Sequence, residues 1–193
     1  MVDRRHTTTA VAASVAAVAA LLTGCTTDSN TAPTDTVGSS ITAATGIPAQ
    51  AGPEVAVTRV IDGDTIVVRT TTGDYRTVLL IGVDTPEAVK PGAPVDCFGP
   101  QASEYTTAML TGRTVRLETD PATGDTDRYG RHLAYVWTVH DQRLFNLALI
   151  DAGAARDYTY QDTRYRYRDT FRTAERNAQS KDFGLWGTCP PPD

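Results

Sequence analysis

Two short acidic motifs in the chain have residue types that could do chemistry. They are Asp-Gly-Asp-Thr at residues 62–65, between two β-branched runs, and Asp-Thr-Pro-Glu at residues 84–87, after a third run. Either motif alone is typical of a turn, because Asp-Gly is a strong hairpin signal and Pro ends a strand. Carboxylates at the exits of neighbouring strands can also converge on one hard cation, which binds several oxygen ligands including backbone carbonyls. The two motifs together predict a cation site to which each motif contributes a carboxylate, with Glu87 close by.

A basic motif could complete such a site. Residues 127–131 read Asp-Arg-Tyr-Gly-Arg and place guanidinium groups at the start of a further β-branched run. A bound cation, a free carboxylate and an arginine are the parts needed for metal-assisted attack on a phosphodiester. The three motifs therefore indicate phosphodiester chemistry.

The elements that must position these motifs are short strands and a few helices. β-Branched runs separated by Asp-Gly and Thr-Gly-Asp turns predict a meander of strands. We predict strands at Val55–Ile61, Thr65–Arg69, Tyr75–Val83, Thr114–Thr119 and His132–Val139, and helices at Gly99–Leu110, Leu144–Ala152 and Arg164–Lys181. A helix after the third strand and helices at the end fit an α+β domain: a five-stranded OB-type Greek-key β-barrel with about three helices.

Composition excludes several classes of protein. The chain has 193 residues, of which 40% are hydrophobic and 21% charged, and this balance is typical of a globular domain. The long apolar stretch at Ala10–Leu22 falls short of the roughly 18–20 residues that span a membrane. A net charge of −5 argues against binding nucleic acid through bulk positive charge, but not against a site where a metal ion supplies that charge.

The N-terminus predicts an export signal. Two arginines precede the apolar stretch, which ends in Leu-Thr-Gly-Cys at residues 22–25, and these are the marks of a secretory signal. The quartet resembles the lipobox of bacterial lipoproteins. This resemblance implies that residues 1–24 are a signal peptide and that Cys25 is lipidated, which would make the protein an exported, cell-envelope lipoprotein. The alternative is an ordinary export signal with a coincidental cysteine.

Residues 25–53 predict a tether between the lipid-bearing Cys25 and the folded domain. The stretch that follows Cys25 is rich in Thr, Ala, Ser, Pro and Gly and has no aromatic residue, Lys or Arg. Such a segment buries too little apolar surface to offset chain entropy, so we expect a flexible linker. The folded domain then occupies residues 54–193.

The two remaining cysteines, Cys97 and Cys189, lie in the predicted domain. Disulfides persist in exported proteins, so we expect these residues to pair. Two free thiols are the alternative.

Across residues 55–187 the chain resembles the staphylococcal nuclease (thermonuclease) family. The resemblance depends on several segments in the right order rather than on any one of them. They are Val60-Ile61-Asp62-Gly63-Asp64-Thr65, Val83-Asp84-Thr85-Pro86-Glu87, Phe98-Gly99-Pro100-Gln101-Ala102-Ser103, Asp127-Arg128-Tyr129-Gly130-Arg131-His132-Leu133-Ala134-Tyr135, Asn146-Leu147-Ala148-Leu149 and Gly184-Leu185-Trp186.

The resemblance implies a calcium-dependent nuclease on an OB-type barrel, acting on single-stranded DNA and RNA. By position, Asp64 and Asp84 match the carboxylates that bind Ca²⁺. Thr85 matches the residue whose backbone carbonyl is a further ligand, and Asp62 lies in the outer shell of the metal.

The same resemblance implies roles for four more residues. Glu87 matches the residue that activates or orients the attacking water, and Arg131 matches the arginine that binds the phosphate on the leaving-group side. Tyr129 and Tyr158 match positions that line the nucleotide pocket, where an aromatic ring or hydroxyl can meet base or phosphate.

One position departs from the family pattern. The family has a second catalytic arginine five residues before the aspartate of Asp-Thr-Pro-Glu, and here that position is Leu79. Losing one such donor typically costs about 10²–10³ in rate. Arg76 lies three residues earlier, so strand alternation places it on the opposite face unless a bulge shifts the register.

Three functions remain open from the sequence. We favour a monomeric calcium-dependent nuclease at the cell envelope, with its rate lowered by Leu79, because the metal carboxylates, Glu87 and Arg131 are all present. The alternatives are a non-catalytic OB-type module that binds nucleic acid or another ligand, and a structural lipoprotein whose acidic loops hold Ca²⁺ for stability.

Overall fold

A computed structural model describes residues 46–88 and 94–190 of the chain. The predicted signal peptide, Cys25 and residues 26–45 of the predicted linker lie outside the described residues. No helix in the described part of the chain is long and apolar enough to cross a membrane.

Eight strands and four helices make up the described domain. The strands are β1 (Glu54–Asp62), β2 (Thr65–Arg69), β3 (Tyr75–Leu80), β4 (Val83–Asp84), β5 (Thr114–Glu118), β6 (His132–Thr138), β7 (Arg143–Leu144) and β8 (Arg156–Asp157). The helices are α1 (Gly99–Leu110), α2 (Phe145–Asp151), α3 (Arg168–Ser180) and α4 (Leu185–Thr188), and a 3₁₀ turn spans Tyr160–Asp162.

The main sheet closes into a barrel. Its strands follow the order β3-β2-β1-β5-β6-β7, and β3 also pairs in parallel with β6. Since β1, β2, β3, β5 and β6 thereby form a closed ring, the predicted five-stranded α+β barrel is confirmed. The predicted bounds of α1 agree with the structure, as Pro100 lies in its first turn and Gly112 follows its end.

The barrel interior and the inner faces of the helices form one core. It is composed of aliphatic side chains from the strands and aromatic side chains from β6, α2 and α3. Fully buried members include Ile66, Val68, Val78, Leu80, Val115, Tyr135, Trp137, Phe145, Leu149, Ile150 and Phe171. Burial of this apolar surface is the main stabilising contribution to the fold.

The third predicted strand is two strands in the structure. β3 ends at Leu80, and β4 begins only at Val83. Between them Gly82 has a φ of +77°, and a Cβ there would lie 2.7 Å from the ring of Tyr165. The chain therefore turns away from the barrel at Gly82, and β4 pairs with β8 instead.

The last long helix begins at Arg168 rather than at Arg164. The backbone N–H of Arg166 donates to the Asp120 carboxylate at 2.7 Å. That long-range bond and the aromatic contact of Tyr167 with Tyr135 hold residues 164–167 as a docked loop. The hydrophobic spacing of this segment alone could not reveal that residues 164–167 lie outside the helix.

Residues 46–53, which the sequence analysis assigned to the linker, belong to the folded domain. Ala51 is buried, and the backbone N–H of Gly52 donates to the Leu117 carbonyl at 2.8 Å. Arg116 in turn donates its Nε to the Gly52 carbonyl at 2.7 Å. The domain therefore extends back to residue 46, ahead of the boundary expected at 54.

A disulfide joins Cys97, just before α1, to Cys189, just after α4. It closes a loop with a sequence separation of 92 residues. Chain-entropy models give a stabilisation of roughly 4–5 kcal/mol for a loop of that order. The pairing expected from the cysteine count is present.

Asn146 connects the barrel to the loop that leads into β4. Its amide oxygen accepts a hydrogen bond from the Val136 backbone N–H at 2.8 Å. Its amide nitrogen donates to the Ile81 carbonyl at 2.9 Å. The side chain is fully buried, so both backbone groups depend on it for their hydrogen bonds.

Replacing Asn146 by Leu should lower the free energy of unfolding by about 2–5 kcal/mol, since two buried backbone groups lose their partners. Urea denaturation followed by tryptophan fluorescence measures this. Asn177→Leu, at an exposed position of α3, is the matched control and should shift stability by less than about 0.5 kcal/mol. Equal stability of the two variants would contradict the bridging role.

Candidate active site

The first acidic motif forms a two-residue hairpin between β1 and β2. Asp62 pairs with Thr65 in the antiparallel register, which leaves Gly63 and Asp64 as the turn. The Asp62 carboxylate accepts a hydrogen bond from the Gly63 N–H at 2.8 Å. The Thr65 hydroxyl donates to Asp64 Oδ1 at 2.8 Å. The hairpin therefore fixes both carboxylates at one end of the barrel.

The second acidic motif packs directly on this hairpin. A Cβ on Gly63 would lie 2.7 Å from Thr85 Oγ1, so the close approach requires glycine. From α1, the buried Thr106 hydroxyl donates to the Gly63 carbonyl at 2.6 Å. The Leu80 N–H donates to the Asp64 carbonyl at 3.0 Å. The structure thus brings the motifs at 62–65 and 84–87 into contact.

Asp84 lies on the ribbon of β4 and β8, opposite Arg156. The Arg156 guanidinium stacks on the Trp186 ring, 4.4 Å from its centroid. Burial raises the pKa of Asp84, and the positive charge of Arg156 opposes that shift. Tyr158 follows β8, and its N–H donates to the Gly82 carbonyl at 3.1 Å. Its side chain is exposed, two residues along the ribbon from the partner of Asp84.

Arg131 is held in place by Asp127. The Arg131 Nε donates to Asp127 Oδ2 at 2.7 Å, and the backbone N–H groups of Tyr129 and Arg131 donate to Asp127 Oδ1. Burial alone would raise the pKa of Asp127, but these hydrogen bonds outweigh it and lower the pKa. The exposed Tyr129 ring lies 5.7 Å from the Arg131 guanidinium and 4.8 Å from that of Arg128.

Glu87 is exposed, and its backbone is tied to Asp96. The Glu87 N–H donates to Asp96 Oδ2 at 3.2 Å, and the Glu87 carbonyl accepts from the Asp96 N–H at 3.1 Å. Neither acidic motif contains Asp96, and the sequence analysis did not single it out. It was missed because it lies nine residues from Glu87 in the sequence and shares no motif with it.

Leu79 lies on the same face as Thr65. The β2–β3 register pairs Leu79 with Thr65 and Arg76 with Val68, and it runs without a shift from Thr65 to Arg69. Strand alternation therefore keeps Arg76 on the face opposite Leu79. The register shifts lie in the pairing of β1 with β2 instead. No bulge between β2 and β3 therefore moves Arg76 toward Asp64.

Comparison with known proteins identifies the family. A model of the staphylococcal nuclease homologue family matches residues 77–188. The chain is 44% identical over 130 residues to the thermonuclease of Staphylococcus hyicus, covering 67% of this chain and 73% of that protein. The chain belongs to the staphylococcal nuclease family.

Other relatives agree with this assignment. The chain is 44% identical over 135 residues to the thermonuclease of Staphylococcus intermedius, covering 70% of this chain and 77% of that protein. It is 37% identical over 133 residues to endonuclease YncB of Bacillus subtilis strain 168, covering 68% of this chain and 61% of that protein. The family match includes Asp84, Thr85, Glu87 and Arg131, whereas the 62–65 hairpin precedes it.

The electrostatics of this nuclease-family site centre on Asp64. Burial raises the pKa of Asp64 to about 6, and the nearby carboxylates of Asp84 and Asp62 act in the same direction. The Thr65 hydroxyl and the Arg131 charge oppose the rise. In the described part of the chain, neither Asp64 nor Asp84 has an ion-pair partner. Ion pairs with positively charged side chains of the described residues therefore do not balance the negative charges of Asp64 and Asp84 when both are ionised.

Thr106 also escaped the sequence analysis, although a signal was present. Ala102, Thr106 and Leu110 recur every four residues on α1, and all three are buried. A hydroxyl on an otherwise apolar helix face needs a partner when it is buried. The identity of that partner, the Gly63 carbonyl, depends on tertiary packing.

Replacing Asp64 by Asn should stabilise the metal-free protein at neutral pH. A carboxyl group whose folded pKa is raised contributes stability below the unfolded pKa and loses it as pH rises through the folded value. For Asp64 that loss occurs between about pH 4, the unfolded value, and about pH 6. We expect a gain of about 1–3 kcal/mol at pH 8 in EDTA.

Urea midpoints at pH 4 and pH 8 measure this gain, which should be present at pH 8 and absent at pH 4. Asp74→Asn, at an exposed turn, is the control and should show no comparable change. A destabilised Asp64→Asn protein at pH 8 in EDTA would contradict the argument.

Proposed function

We propose that this protein is a calcium-dependent nuclease that hydrolyses phosphodiester bonds of single-stranded DNA or RNA. The observation that carries the proposal is the close approach of Asp64 and Asp84. They are near enough for the Asp84 charge to raise the pKa of Asp64, and neither has an ion-pair partner among the described residues. Asp64 is half-buried and Asp84 is exposed, and the negative charges of two neighbouring carboxylates are unfavourable together unless a cation compensates them.

The donor set suits Ca²⁺. No group of three or more His, Cys, Asp or Glu side chains that could hold a metal ion occurs within residues 46–88 and 94–190. An ion at Asp64 and Asp84 would therefore need ligands other than a third side chain of these types. A hard cation can take the two carboxylates and complete its shell with backbone carbonyls and water. Asp64, Asp84 and the Thr85 carbonyl would hold the ion, with Asp62 in the outer shell.

In the proposed mechanism, the Ca²⁺ ion that Asp64, Asp84 and the Thr85 carbonyl would hold would supply positive charge to polarise the phosphate and offset its negative charge. Glu87 accepts a proton from the attacking water, or orients that water in line with the leaving group. Arg131 donates to the phosphate oxygens and stabilises the charge that develops on them. Among the described residues, Asp127 accepts hydrogen bonds from the Nε of Arg131 and from the nearby backbone. It therefore orients the guanidinium and leaves the terminal nitrogens of Arg131 able to contact substrate.

Two exposed aromatic residues support single-stranded substrates. Tyr129 and Tyr158 both present their side chains to solvent, and Arg128 lies over the Tyr129 ring. Aromatic faces stack on unpaired bases, which a duplex does not offer. We propose that these tyrosines line the nucleotide pocket.

We further propose that the enzyme is exported, monomeric and held at the cell envelope through a lipid on Cys25. The Cys97–Cys189 disulfide supports export, because disulfides persist in oxidising compartments. The lipobox-like quartet at residues 22–25 supports lipidation.

Leu79 favours a second candidate, a non-catalytic module that binds nucleic acid. An apolar side chain beside the hairpin cannot bind a phosphate oxygen, and the β2–β3 register gives Arg76 no route to that place. Calcium-promoted nucleotide binding without turnover would identify this function.

Glu87→Gln should leave the calcium midpoint within about twofold of the natural protein while lowering the cleavage rate by about 10²-fold or more. The substitution keeps size and hydrogen bonding but removes the group that accepts a proton. Cleavage of a fluorescent single-stranded DNA, titrated with CaCl₂ and then stopped by EDTA, measures both quantities.

Glu104→Gln, on the exposed face of α1, is the matched control and should retain full activity. An unchanged rate in Glu87→Gln would overturn the assigned role. Calcium binding without cleavage in the natural protein would favour the binding module.

Leu79→Arg should raise the cleavage rate, by up to about 10²-fold, because it returns a donor to the face that carries Thr65. Arg76→Leu is the control and should change the rate little, since Arg76 faces away. Single-turnover cleavage at saturating Ca²⁺ separates this gain from tighter calcium binding. A folded Leu79→Arg protein that cleaves no faster would show that the site does not use a second arginine.

A further inference from the structure

The backbone of Glu87 is in contact with a short segment, Asp96–Gly99, whose first residue lies nine positions further along the chain. Both the N–H and the carbonyl of Glu87 bond to Asp96, one to its carboxylate and the other to its N–H. Gly99 packs so closely that a Cβ there would lie 2.4 Å from the Glu87 carbonyl oxygen. We call residues 96–99 the clasp.

The clasp is itself anchored at two points, Phe98 and Cys97. Phe98 adopts a φ of +70° and packs its half-buried ring against the core. The Gly99 N–H donates to the Asp96 carbonyl at 3.0 Å, which closes the turn into α1. Cys97 is bonded to Cys189, whose N–H in turn donates to the Leu185 carbonyl at 2.9 Å.

Covalent anchoring matters because Asp96 and Cys97 are exposed. An exposed hydrogen bond contributes little on its own, since water competes for both partners. Asp96 is next to Cys97, which the disulfide fixes, so Asp96 loses less conformational entropy when it bonds to Glu87. The disulfide therefore makes the two Asp96–Glu87 bonds effective as a positional constraint.

We propose that Asp96 is a positioning residue for Glu87, and that the Cys97–Cys189 disulfide keeps it in place, so that nuclease activity depends on the redox state of this pair. The inference rests on the proposed function of Glu87. Asp96 sets the backbone from which the Glu87 side chain extends, without touching substrate itself. Small displacements of a reacting group lower turnover steeply. The Asp96 charge also acts on Asp84, so turnover is compared at saturating Ca²⁺ and between two variants that both lack this charge.

Two variants of Asp96 isolate this role in the full-length protein. Both Asp96→Ala and Asp96→Asn remove the negative charge, but only Asn retains an oxygen that accepts the Glu87 N–H. We expect Asp96→Ala to lower kcat at saturating Ca²⁺ by about 10- to 100-fold with little change in KM. Asp96→Asn should stay within about threefold of the natural protein, because the hydrogen bond survives. Equal losses in the two variants would overturn the proposal.

The effect of Asp96→Ala is also measured in the Glu87→Gln protein. A residue that acts through Glu87 has nothing left to position there, so Asp96→Ala should cause no further loss in Glu87→Gln. An undiminished loss in that background would overturn the positioning role. Glu104→Ala controls for the removal of an exposed carboxylate and should retain full activity.

Reduction tests the anchor. Incubation with dithiothreitol should lower kcat to near the Asp96→Ala level at a temperature where circular dichroism shows folded protein, and reoxidation should restore it. The double variant Cys97→Ser, Cys189→Ser should match the reduced protein and be insensitive to dithiothreitol. A reduced, folded enzyme with full kcat would exclude the disulfide from the clasp.

The outcomes also separate this inference from the proposed function. If Glu87→Gln cleaves at the full rate, the role of Glu87 fails and the clasp has no catalytic group to position. If Glu87→Gln is impaired and Asp96→Ala is not, the proposed function stands and the positioning role alone fails.

Discussion

Asp64 and Asp84 repel each other, so the fold must hold them together by contacts that do not depend on charge. Gly63 packs against Thr85 at a distance that admits no side chain. The Thr106 hydroxyl fixes the Gly63 carbonyl from α1. Asn146, from α2, bonds the Ile81 carbonyl just before β4. Uncharged groups on two helices and one glycine thus set the separation of two anions. Burial raises the pKa of Asp64, and the Asp84 charge adds to that rise.

Another carboxylate in the same barrel, Glu118, has the contacts of a residue that stabilises the fold. Glu118 is fully buried, yet it accepts hydrogen bonds from Gln50, Trp137, Arg166 and Tyr167. Every lone pair there has a protein donor, including a guanidinium. Asp64 has one hydroxyl donor and no ion pair among the described residues. The difference in compensation, rather than burial or residue type, distinguishes the carboxylates that can accept a cation from those that hold the fold together.

The sequence predicted what is local and missed what is made by tertiary packing. A hairpin turn after β1 and the bounds of α1 follow from turn and helix-end preferences, and the structure has both, with Gly63 and Asp64 as the turn residues. The break at Gly82 was missed because the Tyr165 ring, which leaves no room for a side chain there, lies far along the chain. The N-terminal edge of the domain was missed because residues 46–53 have linker-like composition but bond to Leu117 and Arg116. Asp96 shares no motif with Glu87, so only the folded chain relates them.

Leu79 affects the charge balance of the carboxylates as well as the cleavage rate expected of the proposed enzyme. A guanidinium at this position would lie beside Thr65, and its charge would oppose the mutual repulsion of Asp64 and Asp84. With Leu there, Arg131 is the cation that lowers the pKa of Asp64. With leucine at position 79, the charges of Asp64 and Asp84 are therefore less compensated than they would be beside a guanidinium. The residue at this position thus bears on the charge balance of the two carboxylates as well as on the proposed phosphate contact.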